Sequence, residues 1–181
     1  MSTQTWKFDL SHSSVNFHVR HLMVSKVHGR FTKWDGVLEL DAENPANSRL
    51  EVTIDAASVD TQEPKRDDHL RSADFFETEK YPHLTFKSTK VEKHGDDYKL
   101  TGDLTIRGIT RSVTLDVEGG EVVKDPWGGI RTGYSAKTTI SRKDYGLTWN
   151  VALESGGIVV GDKVEITLEI EAISQAASKA A

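Results

Sequence analysis

Hydrophobic and polar residues alternate along most of this chain. Val15, Phe17 and Val19 are interleaved with Asn16, His18 and Arg20, and Leu50, Val52 and Ile54 with Glu51, Thr53 and Asp55. Leu84 and Phe86 flank Thr85, while Leu100, Leu104 and Ile106 keep one phase with Gly102 between them. Val113, Leu115 and Val117 repeat the pattern, and Val164, Ile166, Leu168 and Ile170 stand against Glu165, Thr167, Glu169 and Glu171. Successive side chains of a strand point to opposite faces, so each run predicts a strand with one dry and one wet face. Antiparallel strands of this kind close into a barrel or stack as a sandwich to hide the dry face.

Turn residues punctuate the runs. His94-Gly95-Asp96-Asp97 predicts a hairpin loop, and Gly119-Gly120, Pro126-Trp127-Gly128-Gly129 and Gly156-Gly157 predict further turns. One short helix is predicted, opened by Pro64 and built from Asp67, Asp68, Leu70, Arg71 and Ala73. Proline fits there because the first turn of a helix has no intrahelical use for its N–H. Gly29, Gly36, Gly102 and Gly108 lie in or beside strands, where they permit the bends that help a sheet close on itself. Closure also removes exposed edges, which favours an all-β antiparallel barrel over a sandwich. No repeat or linker interrupts the pattern, so residues 1–181 read as a single domain with its core at about 6–172. The tail from Gln175 to Ala181 has no apolar anchor and is expected to fray.

Composition narrows the function classes. Hydrophobic residues make up 36% and charged residues 28%, ordinary values for a soluble globular protein. No run approaches the roughly 18 apolar residues that a membrane-spanning helix needs. The opening stretch Met1–Phe8 lacks the apolar segment of a secretory signal, so the expected location is cytoplasmic, or periplasmic if a leader has been removed. With no cysteine, disulfide and thiolate chemistry are excluded. The 28 acidic residues outnumber the 23 basic ones and no basic block exists, which argues against a nucleic-acid partner.

Catalytic and metal motifs are equally scarce. His12, His18, His21 and His28 come nearest to a metal set, but His18 and His21 fall on opposite phases of one strand. Without cysteine or an H-E-x-x-H spacing, no metal site is expected. No G-x-S-x-G elbow, phosphate loop or dinucleotide pattern occurs. Asp67 and Asp68, with Lys65, Arg66 and Arg71 nearby, read as surface pairing. Aromatic residues recur from Trp6 to Trp149 and could equally fill a barrel or line it.

Several blocks then show a resemblance. Val15-Asn16-Phe17-His18-Val19-Arg20-His21-Leu22, followed by Val27-His28-Gly29-Arg30-Phe31 and Gly36, is similar to the opening pattern of the YceI-like polyisoprenoid-binding family. So are Asp68-His69-Leu70-Arg71-Ser72-Ala73-Asp74-Phe75-Phe76, Tyr81–Ser88, Gly102–Arg111, Ile140–Leu147 and Gly161–Ile166, in that order. Ser112 stands where the family often has proline, and many relatives carry a secretion signal that this chain lacks. The resemblance implies an extended lipocalin-like barrel of about eight strands. It also implies non-catalytic binding, storage or transport of a long-chain isoprenoid or quinone-type lipid, with no other cofactor.

Within such a barrel, alternation and aromatic character select Phe17, Val19, Phe31, Trp34, Phe86, Leu104, Ile106, Tyr134, Ile140 and Trp149 as the apolar lining. His21 and Arg142 are the polar candidates for the mouth, where an arginine could meet a phosphate or quinone oxygen. Arg142 could equally pair with Asp144 or a neighbouring strand. Each five-carbon unit buried contributes roughly 3 to 4 kcal/mol gross, at about 0.8 kcal/mol per CH₂. Affinity is therefore expected to rise with chain length and then flatten, and a bare headgroup should bind negligibly. A homodimer that buries the mouth would shield an apolar rim. The rival classes are an enzyme acting on a small amphiphile in the same barrel, and an interaction module with a filled barrel.

Overall fold

A computed structural model describes residues 3–154 and 156–176. Its strands are β1 (Gln4–Phe8), β2 (Ser14–His21), β3 (Ser25–Phe31), β4 (Trp34–Leu40), β5 (Arg49–Asp55), β6 (Val59–Asp60), β7 (His83–His94), β8 (Asp97–Ile106), β9 (Ile109–Lys124), β10 (Ile130–Ser141) and β11 (Val160–Ser174). One helix, α1, runs from Pro64 to Arg71, so Ala73 falls just beyond it.

All pairings are antiparallel, and β1 against β11 closes the sheet. The two N-terminal strands share one side of β11. Phe8 of β1 stands opposite Ala172, while Val15 and Val19 of β2 stand opposite Leu168 and Val164. On their other side β1 pairs with β4 and β2 with β3. Thus β1–β2 and β3–β4 each form one interrupted stave, and with β5 and β7 to β11 they make a barrel of eight. The break between β1 and β2 is a 3-10 turn over Leu10–His12, capped by the Asp9 side chain.

Inward residues divide into two groups. Trp6, Phe8, Trp34, Leu38 and Ala172 are buried together, with Phe8 edge-on to Trp34 at 5.3 Å, and they fill the barrel at the β1–β4 end. Toward the tip of the β2–β3 hairpin the interior is open. Around that mouth gather α1, the 3-10 turn at Arg142–Tyr145, and Leu147, Trp149 and Val159.

The helix owes little to an apolar stripe, since Leu70 is its only large apolar residue. Polar anchors hold it instead: the buried Asp67 accepts the Thr61 N–H and hydroxyl, and Arg71 donates to the carbonyls of Ala57 (2.9 Å) and Val59 (3.2 Å).

Two local expectations change. Gly119-Gly120 is no turn but lies inside β9, where the register slips between Thr132 and Tyr134 of the facing strand. Its φ angles of 111° and 98° suit glycine and mark a β-bulge. Gly29 and Gly102, read as bend points, serve a close approach: a Cβ on either would collide with the ring of Phe17 or Phe86 respectively. The frayed tail expected for Gln175–Ala181 lies, from residue 177 on, outside the described residues.

Candidate functional site: an apolar cavity behind the barrel mouth

The open half of the barrel holds a cavity of about 380 Å³. Rows of alternate residues form its wall: Val15, Phe17 and Val19 from β2, Leu50, Val52 and Ile54 from β5, and Val164, Ile166 and Leu168 from β11. Phe86, Leu104, Ile106, Val113, Leu115 and Ile140 close the far side. Phe17 and Phe86 lie flat enough to use the space that Gly29 and Gly102 leave free, so the wall keeps its aromatic surface without the rings blocking the interior.

Aromatic rings crowd the mouth. Trp149 packs edge-on against His69 at 4.7 Å and tilted against Phe75 at 5.4 Å. Phe31 bridges Phe17 at 5.6 Å and Phe76 at 5.7 Å. Leu70 and the Phe75-Phe76 pair bring the segment after β6 over the opening.

Of the residues singled out from sequence, Phe17, Val19, Phe31, Phe86, Leu104, Ile106, Ile140 and Trp149 line this cavity, and so do His21 and Arg142. Trp34 and Tyr134 do not. Trp34 is spent on the floor against Phe8. Tyr134 stands at the other end of β10, its ring over Gly120, beside a separate polar depression that includes His12, Glu118 and Glu171. Burial pushes its hydroxyl pKa up.

Arg142 is buried, not poised at a rim. Its Nε donates to Gly161 O (2.8 Å), Nη1 to Leu147 O (2.6 Å) and Trp149 O (2.9 Å), and Nη2 to Val160 O (3.2 Å). One guanidinium therefore ties the segment after the 3-10 turn to the start of β11. Burial pulls its pKa down, opposed by the charge of Asp162. Of the structural alternative weighed from sequence, pairing with Asp144 does not occur among the described residues, whereas bonding to a neighbouring strand does, through Val160 and Gly161 of β11.

The four N-terminal histidines do not converge. His18 stacks on His28 at 5.3 Å and meets Glu165 on the outside of the barrel, whereas His21 faces the cavity. His12 sits at the opposite end with Asp9 and Glu171, a trio whose spacing could suit a cation. The Arg131 guanidinium already fills that role, at 2.8 Å from Asp9 and 2.6 Å from Glu171.

Comparison with known proteins matches this geometry to a family. The YceI-like domain description fits residues 6–172. Protein YceI of Escherichia coli O17:K52:H18 is 42% identical over 164 residues, covering 91% of this chain and 83% of that protein. The chain belongs to the YceI-like family.

Among solved YceI-like relatives and neighbours, Burkholderia cenocepacia BcnA superposes with a TM-score of 0.78 at 24% identity, over 91% of this chain and 98% of its own. A polyisoprenoid binding domain from Saccharophagus degradans gives 0.67 at 18% identity, covering 94% and 99%. At those identities the likeness is one of fold, and the fold is the YceI-like closed barrel. Sequence reasoning passed over the β5 and β11 rows of the cavity, although their alternation was plain. It also passed over Arg66, His69 and Leu70, which share one face of the short predicted helix, and Phe75 and Phe76, which lie beyond it.

Proposed function

We propose that this protein binds, stores or carries a long apolar-chain lipid of the isoprenoid or quinone class, and performs no chemistry on it. The cavity is the observation that carries the reading. It is bounded by aliphatic and aromatic side chains on every stave, and its volume lies within the range of roughly 300–1,000 Å³ usual for ligand sites. Seating an alkyl or prenyl chain against these walls takes the chain and the apolar lining out of water at once.

The binding-domain character of the family agrees with a carrier rather than a catalyst. No arrangement of nucleophile, base and oriented partner faces the cavity among the described residues. Native mass spectrometry of freshly purified protein, followed by organic extraction, tests the reading directly. A retained prenyl or quinone lipid released on unfolding is the expected result. A ligand-free mass, unchanged after incubation with prenyl alcohols and quinones of several lengths, would refute it.

A further inference from the structure

The turn between β2 and β3 carries residues that its backbone disfavours. Leu22 and Met23 both have positive φ, 52° and 62°, and the Val24 N–H donates to His21 O at 3.1 Å. This is a type I′ turn, which suits Asn-Gly and strains a leucine or a methionine. Burial does not account for the choice, since Met23 is 59% exposed and Val24 81%. A polar turn would be more stable here, so the apolar tip calls for something that covers it.

The tip belongs to the rim of the cavity. The Leu22 N–H donates to Val159 O (2.8 Å), and the Val159 N–H to Val151 O (3.1 Å). Val159 lines the cavity, whereas Leu22 and Val151 are exposed. Met23 lies against Gly157 of the same segment. Leu22, Met23, Val24 and Val151 thus form one apolar lip beside the opening.

The strands behind the lip are cationic. From Ser14 to Phe31 the chain has no carboxylate but carries Arg20, Lys26, Arg30 and three histidines, in a protein of net charge −5. Arg20 and Lys26 face each other across the hairpin, both exposed, a like-charge pairing that costs stability. Asp60 takes Arg30 and Glu165 takes His18, but among the described residues Arg20 and Lys26 have no carboxylate partner. Glu154, the single carboxylate in the segment 147–160, offsets one of these charges.

An anionic bilayer suits both features: its acyl region takes the apolar lip and its headgroups take the cations behind. A second copy fits worse, because a twofold contact through the lip would bring Arg20 and Lys26 toward their own equivalents. The other end of the barrel also exposes a large apolar residue, Trp127, but the depression there is lined by Glu118, Glu121, Glu169 and Glu171. We propose that the β2–β3 tip, together with Val151, docks the open mouth onto an anionic lipid bilayer. Docking rests on these surface residues, and only its use in loading an apolar chain rests on the carrier reading above.

Co-sedimentation with vesicles of phosphatidylglycerol and phosphatidylcholine in equal parts, against phosphatidylcholine alone, tests this. Binding to the mixed vesicles is expected to be at least about tenfold tighter. Val24→Asp should weaken it by more than about tenfold, and Arg20→Gln with Lys26→Gln by on the order of thirtyfold at low salt. Leu22→Asn with Met23→Gly should lose vesicle binding while its urea midpoint is no lower than the parent's, because those residues suit the turn. Trp127→Ala should bind as the parent does. Uptake of farnesol, read by native mass spectrometry, should be the same in Val24→Asp and the parent. No vesicle binding, equal binding to both vesicle types, or a loss in Trp127→Ala but not in the lip variants would overturn the proposal, and farnesol uptake would then still uphold the carrier reading. Vesicle binding without farnesol uptake would leave docking in place and defeat the carrier reading instead. A dimer in the absence of vesicles that Val24→Asp converts to a monomer would assign the lip to a second copy and overturn the proposal as well.

Discussion

The two ends of the barrel are built from the same staves and come to opposite outcomes. At the floor, Trp6, Phe8, Trp34 and Leu38 meet across the interior and fill it. At the mouth, the aliphatic rows of β2, β5 and β11 face one another over empty space. Each end also has its own arginine. Arg131, at the floor end, binds three carboxylates, Asp9, Asp125 and Glu171, on the barrel surface. Arg142, at the mouth, is buried and binds only carbonyls. Large rings that interlock make one end a plug. Rings held back against glycines, with aliphatic neighbours, leave the other a container.

Substitutions that remove the plug should show the largest effect. Phe8→Ala takes a ring from a packed site and is expected to cost about 3–5 kcal/mol in urea-induced unfolding. Phe86→Ala, at the cavity wall, removes the same ring from beside an existing void and should cost no more than about half as much. Equal losses would mean that the mouth end is packed like the floor. Next in size is Arg142→Ala, which abandons four buried carbonyls and should cost about 3 kcal/mol. Lysine should not rescue it, because an ammonium cannot reproduce the fork. Loss of lipid binding with an unchanged unfolding midpoint would instead make Arg142 a ligand contact.

This contrast explains what could be read from the sequence. Alternation marks which side chains face inward, and it did so for Phe17, Val19, Leu104 and Ile140. It does not say at what height along the axis a stave is plugged. Trp34 has the inward phase and the aromatic character of a lining residue, yet it sits level with Phe8 and becomes floor. Tyr134 fails for a related reason: it lies beyond the Gly119-Gly120 bulge, away from the cavity. Arg66, His69 and Phe76 reach the cavity only because polar anchors lay α1 and the chain after it across the mouth. Long-range contacts of that kind leave no local period to detect. The family resemblance implied the cavity and picked out His21 and Arg142 beside it, whereas the contribution of α1 needed coordinates.

Ligand binding should stabilise the mouth end specifically. A prenyl lipid at about 100 times its Kd adds roughly 2.7 kcal/mol. For a chain of this length that raises Tm by about 5–10 °C. Leu104→Trp, which pushes an indole into the cavity, should abolish the shift in differential scanning calorimetry while the ligand-free protein melts no earlier than the parent. A shift that survives this substitution would place the lipid elsewhere on the molecule.

The smallest expected effect concerns the surface clasp of the floor. Hydrogen bonds from Ser11, His12 and Arg131 hold the Asp9 carboxyl well below the usual carboxylate range. Arg131 and the Gly129 N–H do the same for Asp125. A carboxylate whose pKa is depressed on folding contributes stability above its unfolded pKa of about 3.9, and that stability is lost as the pH falls further. His12 has the opposite sign: Asp9 raises its pKa, so its contribution is present below about 6.5 and fades as pH rises through the folded value. The clasp lies at the barrel surface and His12 is well exposed, so the effect should be slight and salt-sensitive. Urea midpoints measured at pH 5 and pH 3 should therefore fall less in Arg131→Gln than in the parent, whereas variants at the mouth should follow the parent. Identical acid sensitivity with and without Arg131 would show that the floor relies on its interlocked rings alone, and that the ionic clasp adds nothing to the plug.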